Sequence, residues 1–167
     1  GLVGSEMCIR DRGTTYNIIY YHSERLDLSL GVDSIIARVD TSMSLYNPSS
    51  SIVAFNKSEG GSEVDSLLAY VVELSQFYNR LTDGAFDITV GSLVRKWGFY
   101  GEKDTLPDSA EIQSFLAFVG DDKIELKNGF LSKAYPEVKI DVNAIAQGYA
   151  VDLVSMYFES KGVKDYL

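Results

Sequence analysis

The amino-acid sequence predicts an α+β fold, with mixed helices and short strands in a single domain. Stretches rich in β-branched and aromatic residues, such as residues 14–21, have the composition of strands. Other stretches place apolar residues at helical spacing, and the two kinds follow one another in mixed order. With 167 residues, 46% of them hydrophobic, the chain can bury the core that one such domain needs.

Charge and composition exclude several classes of function. A net charge of −9 and a pI near 4.5 argue against nucleic-acid binding, which needs clustered Lys and Arg. No uninterrupted apolar run is long enough to span a bilayer. The single cysteine, Cys8, rules out an internal disulfide.

Residues 2–12 resemble the translation of a common transposase sequencing adapter joined to a genuine reading frame. We therefore predict that residues 1–12 are a non-native tail, and we leave them out of the prediction of the fold. A natural disordered N-terminus is the alternative. If the tail is non-native, the native part contains no cysteine, and any upstream signal peptide or lipid-anchor cysteine would be missing from this sequence.

The first half of the chain predicts one strand and three helical segments. Residues 14–21 form the strand, and residues 26–40 form an amphipathic helix despite containing a glycine. Ser51 is predicted to cap a short helical turn, and Ser62 with Asp65 resembles a capping box that opens a longer helix. The residues predicted on the core side of the longer helix are Val64, Leu67, Leu68, Val71, Leu74, Tyr78 and Leu81.

The second half alternates short helices with short strands. Its predicted elements are, in order, the end of the long helix at Gly84, a short helix ending at Gly98, a helix opened by Asp108 and Glu111, a hairpin of residues 124–126 and 130–131, a strand at 138–140, and a helix from Ile145 to about Lys161. Gly84 suits a left-handed helix terminator. Asn128 and Gly129 can supply the positive φ angles of the hairpin turn.

The turn between the last strand and the last helix is the centre of the predicted site. An alternating run ends at Ile140, and from Ile145 apolar residues recur every four positions, so residues 141–144 form a strand-to-helix turn. Backbone groups at such a turn are not all used by secondary structure and can meet a ligand or cation. The turn carries a carboxylate, Asp141, a carboxamide, Asn143, and small residues that allow close approach.

Two further patches place polar groups beside unusual backbone, namely the loop with Tyr46 and the turn at residues 84–87. The sequence contains no Ser-His-Asp set, no phosphate-binding glycine loop and no zinc pattern, and the lone His22 lies in an exposed, charged stretch. The three patches predict a carboxylate-lined, aromatic-walled pocket without a protein nucleophile. Such a pocket suits a cation-assisted reaction on a flat, phosphorylated ligand.

Four ordered blocks carry a resemblance to a known family. The blocks are residues 13–16; residues 44–46 with Ser51 and Asn56; residues 83–91 with 93–94 and 97–99; and residues 141–146 with 148–150 and Asp152. Together they resemble the FAD:protein FMN transferase (ApbE) family from Gly13 to Leu167. The family's domain is longer, so residues 13–167 are predicted to be its N-terminal portion, truncated at the C-terminal side.

The resemblance implies a reaction and its partners. Such enzymes cleave FAD at its pyrophosphate, attach FMN to a threonine hydroxyl of a target flavoprotein and release AMP, with Mg²⁺ polarising the pyrophosphate. The nucleophile would come from the substrate protein. The family also implies the periplasmic face of a bacterial cell envelope, with membrane association through a lipid anchor outside this sequence. The alternatives are an FAD pyrophosphatase giving FMN and AMP, a flavin-binding protein without catalysis, and a fragment without a stable fold.

The resemblance also implies the residues of the site. The expected contacts with FAD are Tyr46, Ala85, Phe86, Asp87, Asp141 and Gln147, and the expected ligand to Mg²⁺ is the backbone carbonyl of Ala144. Tyr46 would pack on a ring of FAD, and Asp141 would hydrogen-bond one of its polar edges. A carbonyl ligand suits Mg²⁺, since this hard cation prefers oxygen.

The sequence departs from the family pattern at several positions. Gln147 stands where the family often has Lys or Glu, which keeps hydrogen bonding but removes the charge. Ser92 stands where the family usually has Pro, a minor backbone change, and Arg12 replaces a Met at the adapter junction. The family's late Asp and Thr ligands for Mg²⁺ have no counterpart, so this chain alone is expected to bind the metal poorly and to be inactive.

Each site residue also has an ordinary structural interpretation. Tyr46 could be a packing or surface residue, and Asp87 could cap a turn. Asp141 could be a helix-terminal carboxylate that interacts only with the helix dipole. Trp97 and Phe99 are expected in the core rather than on the cofactor.

Overall fold

The computed structural model describes residues 3–11, 14–99 and 107–167, with side chains from residue 17 onward. The helices are α1 (Ser29–Met43), α2 (Ser51–Lys57), α3 (Ser66–Leu81), α4 (Gly91–Lys96), α5 (Ser109–Leu116) and α6 (Asn143–Ser160). The strands are β1 (Val3–Asp11), β2 (Thr14–His22), β3 (Gly61–Glu63), β4 (Ile124–Lys127), β5 (Phe130–Lys133) and β6 (Asp165–Tyr166). This mixed order confirms the predicted α+β class. Within these residues, no helix is both long and apolar enough to cross a bilayer.

The chain forms two compact units, and the first contains the described residues up to Arg38 together with Gly148–Leu167. Its antiparallel sheet has the strand order β1-β2-β6. The sheet and helices bury a cluster of six residues: Tyr20, Leu28, Val32, Ile36, Phe158 and Val163. The ring centroids of Tyr20 and Phe158 are 5.1 Å apart, and the Tyr20 hydroxyl donates to the carbonyl of Leu26 at 2.6 Å. The polar end of this buried tyrosine is thereby satisfied.

Gly31 lies within α1 because a tyrosine ring packs directly against the helix backbone. A Cβ at this position would lie 2.1 Å from the hydroxyl oxygen of Tyr157, closer than two non-bonded heavy atoms can approach. This packing accounts for a glycine in a helix, where it costs about 1 kcal/mol relative to alanine. The helix begins at Ser29, three residues later than predicted, and Asp27 accepts hydrogen bonds from the Ser29 N–H and hydroxyl.

β1 covers most of the segment that the sequence analysis left out of the fold. It pairs antiparallel with β2 along its whole length, from Val3 opposite His22 to Asp11 opposite Thr14. Pairing at an open strand edge uses backbone groups and makes few demands on the sequence that is added. The strand therefore says nothing about the origin of residues 1–12, and the non-native tail stays a prediction.

The second unit, Val39–Gln147, contains a sheet of order β3-β5-β4. Its β4–β5 hairpin is confirmed, with φ of 51° at Asn128 and 79° at Gly129. The sequence did not indicate β3, because three residues beginning with a glycine show no alternation. The apolar core of this unit includes Ile52, Phe55, Leu68, Val71, Val72, Ile88, Leu131, Val138, Ile140 and Val142.

The N-cap of α3 is Asp65, so the predicted capping box of Ser62 with Asp65 is wrong. The Asp65 Oδ1 accepts from the backbone N–H groups of Leu67 at 2.9 Å and Leu68 at 3.1 Å. Ser62 lies in β3 instead. An aspartate can cap a helix directly, and sequence spacing did not distinguish this role from the third position of a box.

The Asp65 carboxylate also joins other parts of the second unit. It accepts the hydroxyl of Ser42 in α1 at 2.8 Å and that of Ser51 at the start of α2 at 2.5 Å. Burial raises the pKa of Asp65, but the hydrogen bonds from the two serines and the two N–H groups outweigh it and hold the pKa below its usual value. The charged carboxylate is therefore the form that the fold favours.

The cap of α2 is Ser50 rather than the predicted Ser51. The Ser50 Oγ accepts from the N–H of Val53 at 3.3 Å and donates to the carbonyl of Ser44 at 2.7 Å. Two adjacent serines satisfy the same sequence rule, and only the backbone geometry separates them.

The buried face of α3 differs from the predicted one toward its C-terminal end. Leu67, Leu68 and Val71 are buried as predicted, and Val72 and Ser75 are buried as well. Tyr78 and Leu81, predicted on the core side, are 41% and 67% exposed. The buried face of α3 is therefore rotated around the helix axis relative to the predicted one. It also ends at Ser75, because the rest of the second unit covers only the first part of the helix. Trp97 and Phe99 are also exposed, at 43% and 71%, so their predicted core position is wrong.

The predicted capping box of α5 and the predicted glycine after α3 are confirmed. α5 begins with the predicted capping box of Asp108 and Glu111. Gly84 and Gly162 have φ of 81° and 80° after α3 and α6. In contrast, the strand predicted at 138–140 is wrong, since its pairing with the other described residues is limited to one parallel bridge, between Val90 and Lys139.

Replacing Asp65 with Ala is predicted to lower the free energy of unfolding by about 1–2 kcal/mol, because α3 loses its N-cap. Urea titration of the purified chain at neutral pH measures this change. Since the folded-state pKa lies below its usual value, the stabilisation is present above about pH 4 and is lost as the pH falls further. Glu63→Ala, which removes an exposed carboxylate from β3, is the control. An equal loss in both variants would contradict the capping role.

Candidate functional site

The turn before α6 lies against the stretch that follows Asp87. The N–H of Asp141 donates to the carbonyl of Ile88 at 2.7 Å, and the N–H of Gly91 donates to the carbonyl of Lys139 at 3.1 Å. We call residues 139–142 the Asp141 segment, and residues 88–91 lie parallel to it through the bridge between Val90 and Lys139. The turn at residues 84–87, which directly precedes this stretch, therefore lies next to the turn before α6.

Gly91 allows this close approach. A Cβ at Gly91 would lie 2.8 Å from the carbonyl oxygen and 2.9 Å from the carbonyl carbon of Lys139. These are backbone atoms, so they cannot move aside as a flexible side chain would. Any other residue at this position would push residues 88–91 away from the Asp141 segment.

The side chain of Asn56 holds the Asp141 segment from another direction. Its Oδ1 accepts from the N–H of Ile140 at 2.8 Å, and its Nδ2 donates to the carbonyl of Ile140 at 2.9 Å. A carboxamide carries one acceptor and one donor group side by side, so it can satisfy both polar groups of one residue. Lys139 adds a hydrogen bond from its amine to the carbonyl of Asn56. In the sequence, Asn56 stands out only as part of a family block, so this role was not predicted.

Asp141 is 9% exposed at the point where the chain enters α6. Its Oδ1 accepts from the N–H of Asn143, the first residue of the helix, at 2.9 Å. This bond gives the helix-terminal interpretation of Asp141 a definite contact. A carboxylate has about four lone-pair positions, so the cap bond does not by itself prevent a second role toward a ligand.

Ala144 and Gln147 are exposed residues in the first turns of α6. The helix begins at Asn143, so the turn predicted over residues 141–144 is shorter than expected. The N–H groups of Ile145 and Ala146 both donate to the carbonyl of Val142, at 3.0 and 2.8 Å. Ala144 and Gln147 are three residues apart and share one face of the helix.

The described residues fit a Mg²⁺ site only in part. Mg²⁺ requires near-octahedral coordination by oxygen. Within residues 17–99 and 107–167, where side chains are described, no three His, Cys, Asp or Glu side chains are grouped so that they could hold a metal ion. Among the described residues, the carbonyl of Ala144 would be one oxygen ligand, and further ligands would be needed to complete the coordination of Mg²⁺.

Asp87 is held in a local network. Its Oδ1 accepts from the N–H of Thr89 at 2.7 Å and from the Thr89 hydroxyl at 2.6 Å, and its Oδ2 accepts from the Asn79 amide at 3.3 Å. The Thr89 Oγ1 in turn accepts from the N–H of Gly120 at 2.7 Å. Burial raises the pKa of Asp121, a hydrogen bond with Gln76 opposes this shift, and the negative charge of Asp87 adds to it. Asp87 thus fixes the turn, as the ordinary interpretation predicted.

The peptide groups around Phe86 are anchored on both sides. The N–H of Phe86 donates to the Thr82 hydroxyl at 3.0 Å, and its carbonyl accepts from the Asn79 amide at 2.9 Å. Its half-buried ring meets that of Tyr78 edge-on, with centroids 6.3 Å apart. Ala85 remains exposed next to it. The exposed residue Ala85 therefore lies on a fixed support.

Tyr46 lies on a separate loop and is 71% exposed. The loop is fixed by the Asn47 amide, which donates to Asp40 at 2.9 Å, and by the bond from Ser50 to Ser44. An exposed ring on a fixed loop can pack on a flat ligand without losing much conformational freedom. The bonds that join residues 88–91 to the Asp141 segment involve neither Tyr46 nor Gln147.

Ser92, where the family usually has Pro, also contributes to this region. Its hydroxyl donates to the carbonyl of Glu137 at 2.6 Å, next to the Asp141 segment. The substitution therefore adds a side-chain contact in addition to the small backbone change that was predicted.

Comparisons with known proteins identify the family to which this chain is similar. The ApbE family is matched over residues 12–167. The chain is 34% identical over 163 residues to an FAD:protein FMN transferase of Vibrio cholerae, covering 93% of this chain and 49% of that protein. It is 31% identical over 169 residues to the protein of the same name in Haemophilus influenzae, again covering 93% of this chain and 49% of that protein.

Solved structures give the same result for the fold. The flavin transferase ApbE of Vibrio cholerae has a TM-score of 0.90 at 32% identity, and the apo flavinyl transferase ApbE of Pseudomonas stutzeri has 0.93 at 29% identity. In both cases the match covers 99% of this chain and 56% of the chain in the solved structure. The fold is therefore that of the flavin transferases. The chain belongs to the ApbE family, which confirms the predicted resemblance, and it spans about half the length of the curated relatives it matches.

Replacing Gly91 with Ala is predicted to destabilise the second unit by about 1–3 kcal/mol, because the new methyl group would overlap the backbone of Lys139. Urea titration measures the loss. The matched control is Gly148→Ala in α6, where a Cβ meets no atom within 4 Å. This control should be neutral or stabilising by up to about 1 kcal/mol. Equal stability of the two variants would contradict the close approach of the two segments.

Proposed function

We propose that the chain is the N-terminal part of an FAD:protein FMN transferase. The observation that carries the proposal is the direct contact between residues 88–91 and the Asp141 segment in a chain of the ApbE family. This contact places the Asp87 turn and the start of α6 side by side. The exposed residue Ala85, the exposed aromatic ring of Tyr46 and the carboxylate of Asp141 suit a flat ligand with polar edges.

In the proposed reaction, a threonine hydroxyl of a target flavoprotein attacks the phosphorus of the FMN half of FAD. The new bond is a phosphoester to the threonine oxygen, the pyrophosphate bond breaks, and AMP leaves. This chain's residues would bind and orient FAD. Asp141 would accept hydrogen bonds from a polar edge, Tyr46 would cover a ring, and Ala85, Phe86, Asp87 and Gln147 would contact the ligand beside them.

We also propose that the complete protein requires Mg²⁺. When bound, the metal would neutralise charge on the pyrophosphate as the bond breaks. The Ala144 carbonyl would be one ligand, and the others would come from the Asp and Thr that the family has later in its domain. A location on the periplasmic side of the bacterial envelope is supported by the family resemblance alone, and cell fractionation of the native host would test it.

The complete protein, supplied with FAD, Mg²⁺ and an acceptor flavoprotein domain, is predicted to transfer flavin covalently and to release one AMP per flavin. Flavin fluorescence of the denatured acceptor and chromatography of AMP measure the two products. EDTA should abolish transfer, and added Mg²⁺ should restore it. Steady AMP release without an acceptor would favour the pyrophosphatase, and saturable FAD binding with no turnover would favour a binding protein.

Asp141→Asn in the complete protein is predicted to weaken FAD binding about tenfold, which corresponds to the loss of about 1.4 kcal/mol. The amide keeps an acceptor for the Asn143 N–H, so the start of α6 is retained while the charge is lost. Equilibrium titration with FAD measures the affinity. Glu125→Ala, which removes an exposed carboxylate that pairs with Lys127 on the hairpin, is the control. Unchanged affinity in Asp141→Asn would exclude its role in binding.

A further inference from the structure

Lys133, the last residue of β5, is a buried cation that the proposed chemistry does not use. It is 7% exposed. Its Nζ donates to three backbone carbonyls, those of Phe55 at 3.2 Å, Pro136 at 3.3 Å and Val138 at 3.2 Å. The amine also lies 5.0 Å from the centre of the Phe55 ring. Charged side chains are almost never this deeply buried unless the structure compensates them.

The number of donors matches the number of acceptors. An ammonium group has three N–H donors and no acceptor, and three carbonyls face it. In the part of the chain with described side chains, no carboxylate oxygen lies within 4.0 Å of this amine. The charge is therefore compensated by carbonyl dipoles and an aromatic face. Only the protonated amine can donate to all three carbonyls at once, although the carbonyl of Phe55 also accepts from the N–H and the hydroxyl of Ser58, at 3.1 and 2.8 Å.

The three carbonyls belong to two stretches that meet at the candidate site. Phe55 lies in the last turn of α2, next to Asn56, whose side chain holds Ile140. Pro136 and Val138 precede the Asp141 segment, and Val138 is three residues from Asp141. Helix C-termini favour cations near their last carbonyls. The Lys133 amine thus connects the end of α2 to the main chain that leads into the Asp141 segment.

We propose that Lys133 is a positioning residue for FAD binding. Its ammonium group fixes the main chain before Asp141 and so sets the position of the Asp141 segment, against which FAD would bind. This inference rests on the proposed function. It assigns Lys133 no contact with FAD, since the side chain acts through the backbone of residues 136–138.

Protonation of this amine can be changed in an accessible pH range. Burial, followed by the nearby charge of Lys139, lowers the pKa of Lys133 to about 8, and Glu137 opposes the shift. The neutral amine has two donors and a lone pair, so one of the three hydrogen bonds from Lys133 is lost and its hold on the two stretches weakens. FAD affinity should therefore fall as the pH rises through about 8.

Overall stability should follow the opposite trend. Because the pKa of Lys133 is lower in the folded state than the usual value of 10.5, the unfolded state binds more protons between about pH 8 and 10.5. The contribution of this group to the free energy of unfolding therefore rises with pH over that range. A role limited to stability would not weaken FAD binding there.

The test compares wild-type protein, Lys133→Met and Lys127→Met in the complete protein that carries this chain. Lys127 is an exposed lysine of the same hairpin that pairs with Glu125, so it is the matched control. FAD affinity is measured by equilibrium titration from pH 7 to 9.5. We expect about tenfold weaker binding in Lys133→Met at pH 7, with no further change with pH. Wild-type protein and Lys127→Met should lose affinity about threefold to tenfold as the pH rises.

The possible outcomes separate the inference from the proposed function. Wild-type affinity or a wild-type pH profile in Lys133→Met overturns the positioning role alone. Absence of FAD binding by wild-type protein overturns the proposed function and the inference with it. If Lys133→Met does not fold, hydrogen exchange of wild-type protein decides. Exchange rates of peptides covering residues 137–142 are corrected for intrinsic rates and divided by those of α3. This ratio should be about tenfold higher at pH 9 than at pH 7. An unchanged ratio overturns the positioning role.

Discussion

The pair of hydrogen bonds between the Asn56 carboxamide and the backbone of Ile140 is the contact on which the candidate site depends. Ile140 is fully buried and lies outside any strand ladder, so its N–H and carbonyl would otherwise lack partners. With both groups satisfied by one side chain, the main chain can bend at the next residue. The N–H of Asp141 then reaches the carbonyl of Ile88, and the two segments of the site are joined.

Features of the fold that depend on neighbouring residues could be predicted from the sequence. The Asn128-Gly129 turn, the capping box of α5 and the termination of α3 at Gly84 each follow from local backbone chemistry. The buried face of α3 and the short β3 depend on what packs against them from distant parts of the chain. Periodicity carries no information about those partners, so Tyr78 was predicted on the wrong side.

The candidate site could be predicted as a set of residues but not as an arrangement. The sequence blocks indicated Asp87 and Asp141, whereas their adjacency depends on contacts across the chain. Asn56 and Ile140 are 84 positions apart, and a lone asparagine gives no sign of such a partner. Lys133 was overlooked because a lysine in a polar stretch usually lies on the surface, and only the three converging carbonyls reveal its burial.

The carboxylate of Asp65 has a consequence for how this family can vary. One side chain accepts a serine of α1 and a serine of α2 while it begins α3, so three helices share a single acceptor. A change at Ser42, Ser51 or Asp65 alone would remove a hydrogen-bond partner from the side chains that remain. Homologous sequences should therefore show correlated substitution at these positions, with the trio either retained or exchanged together.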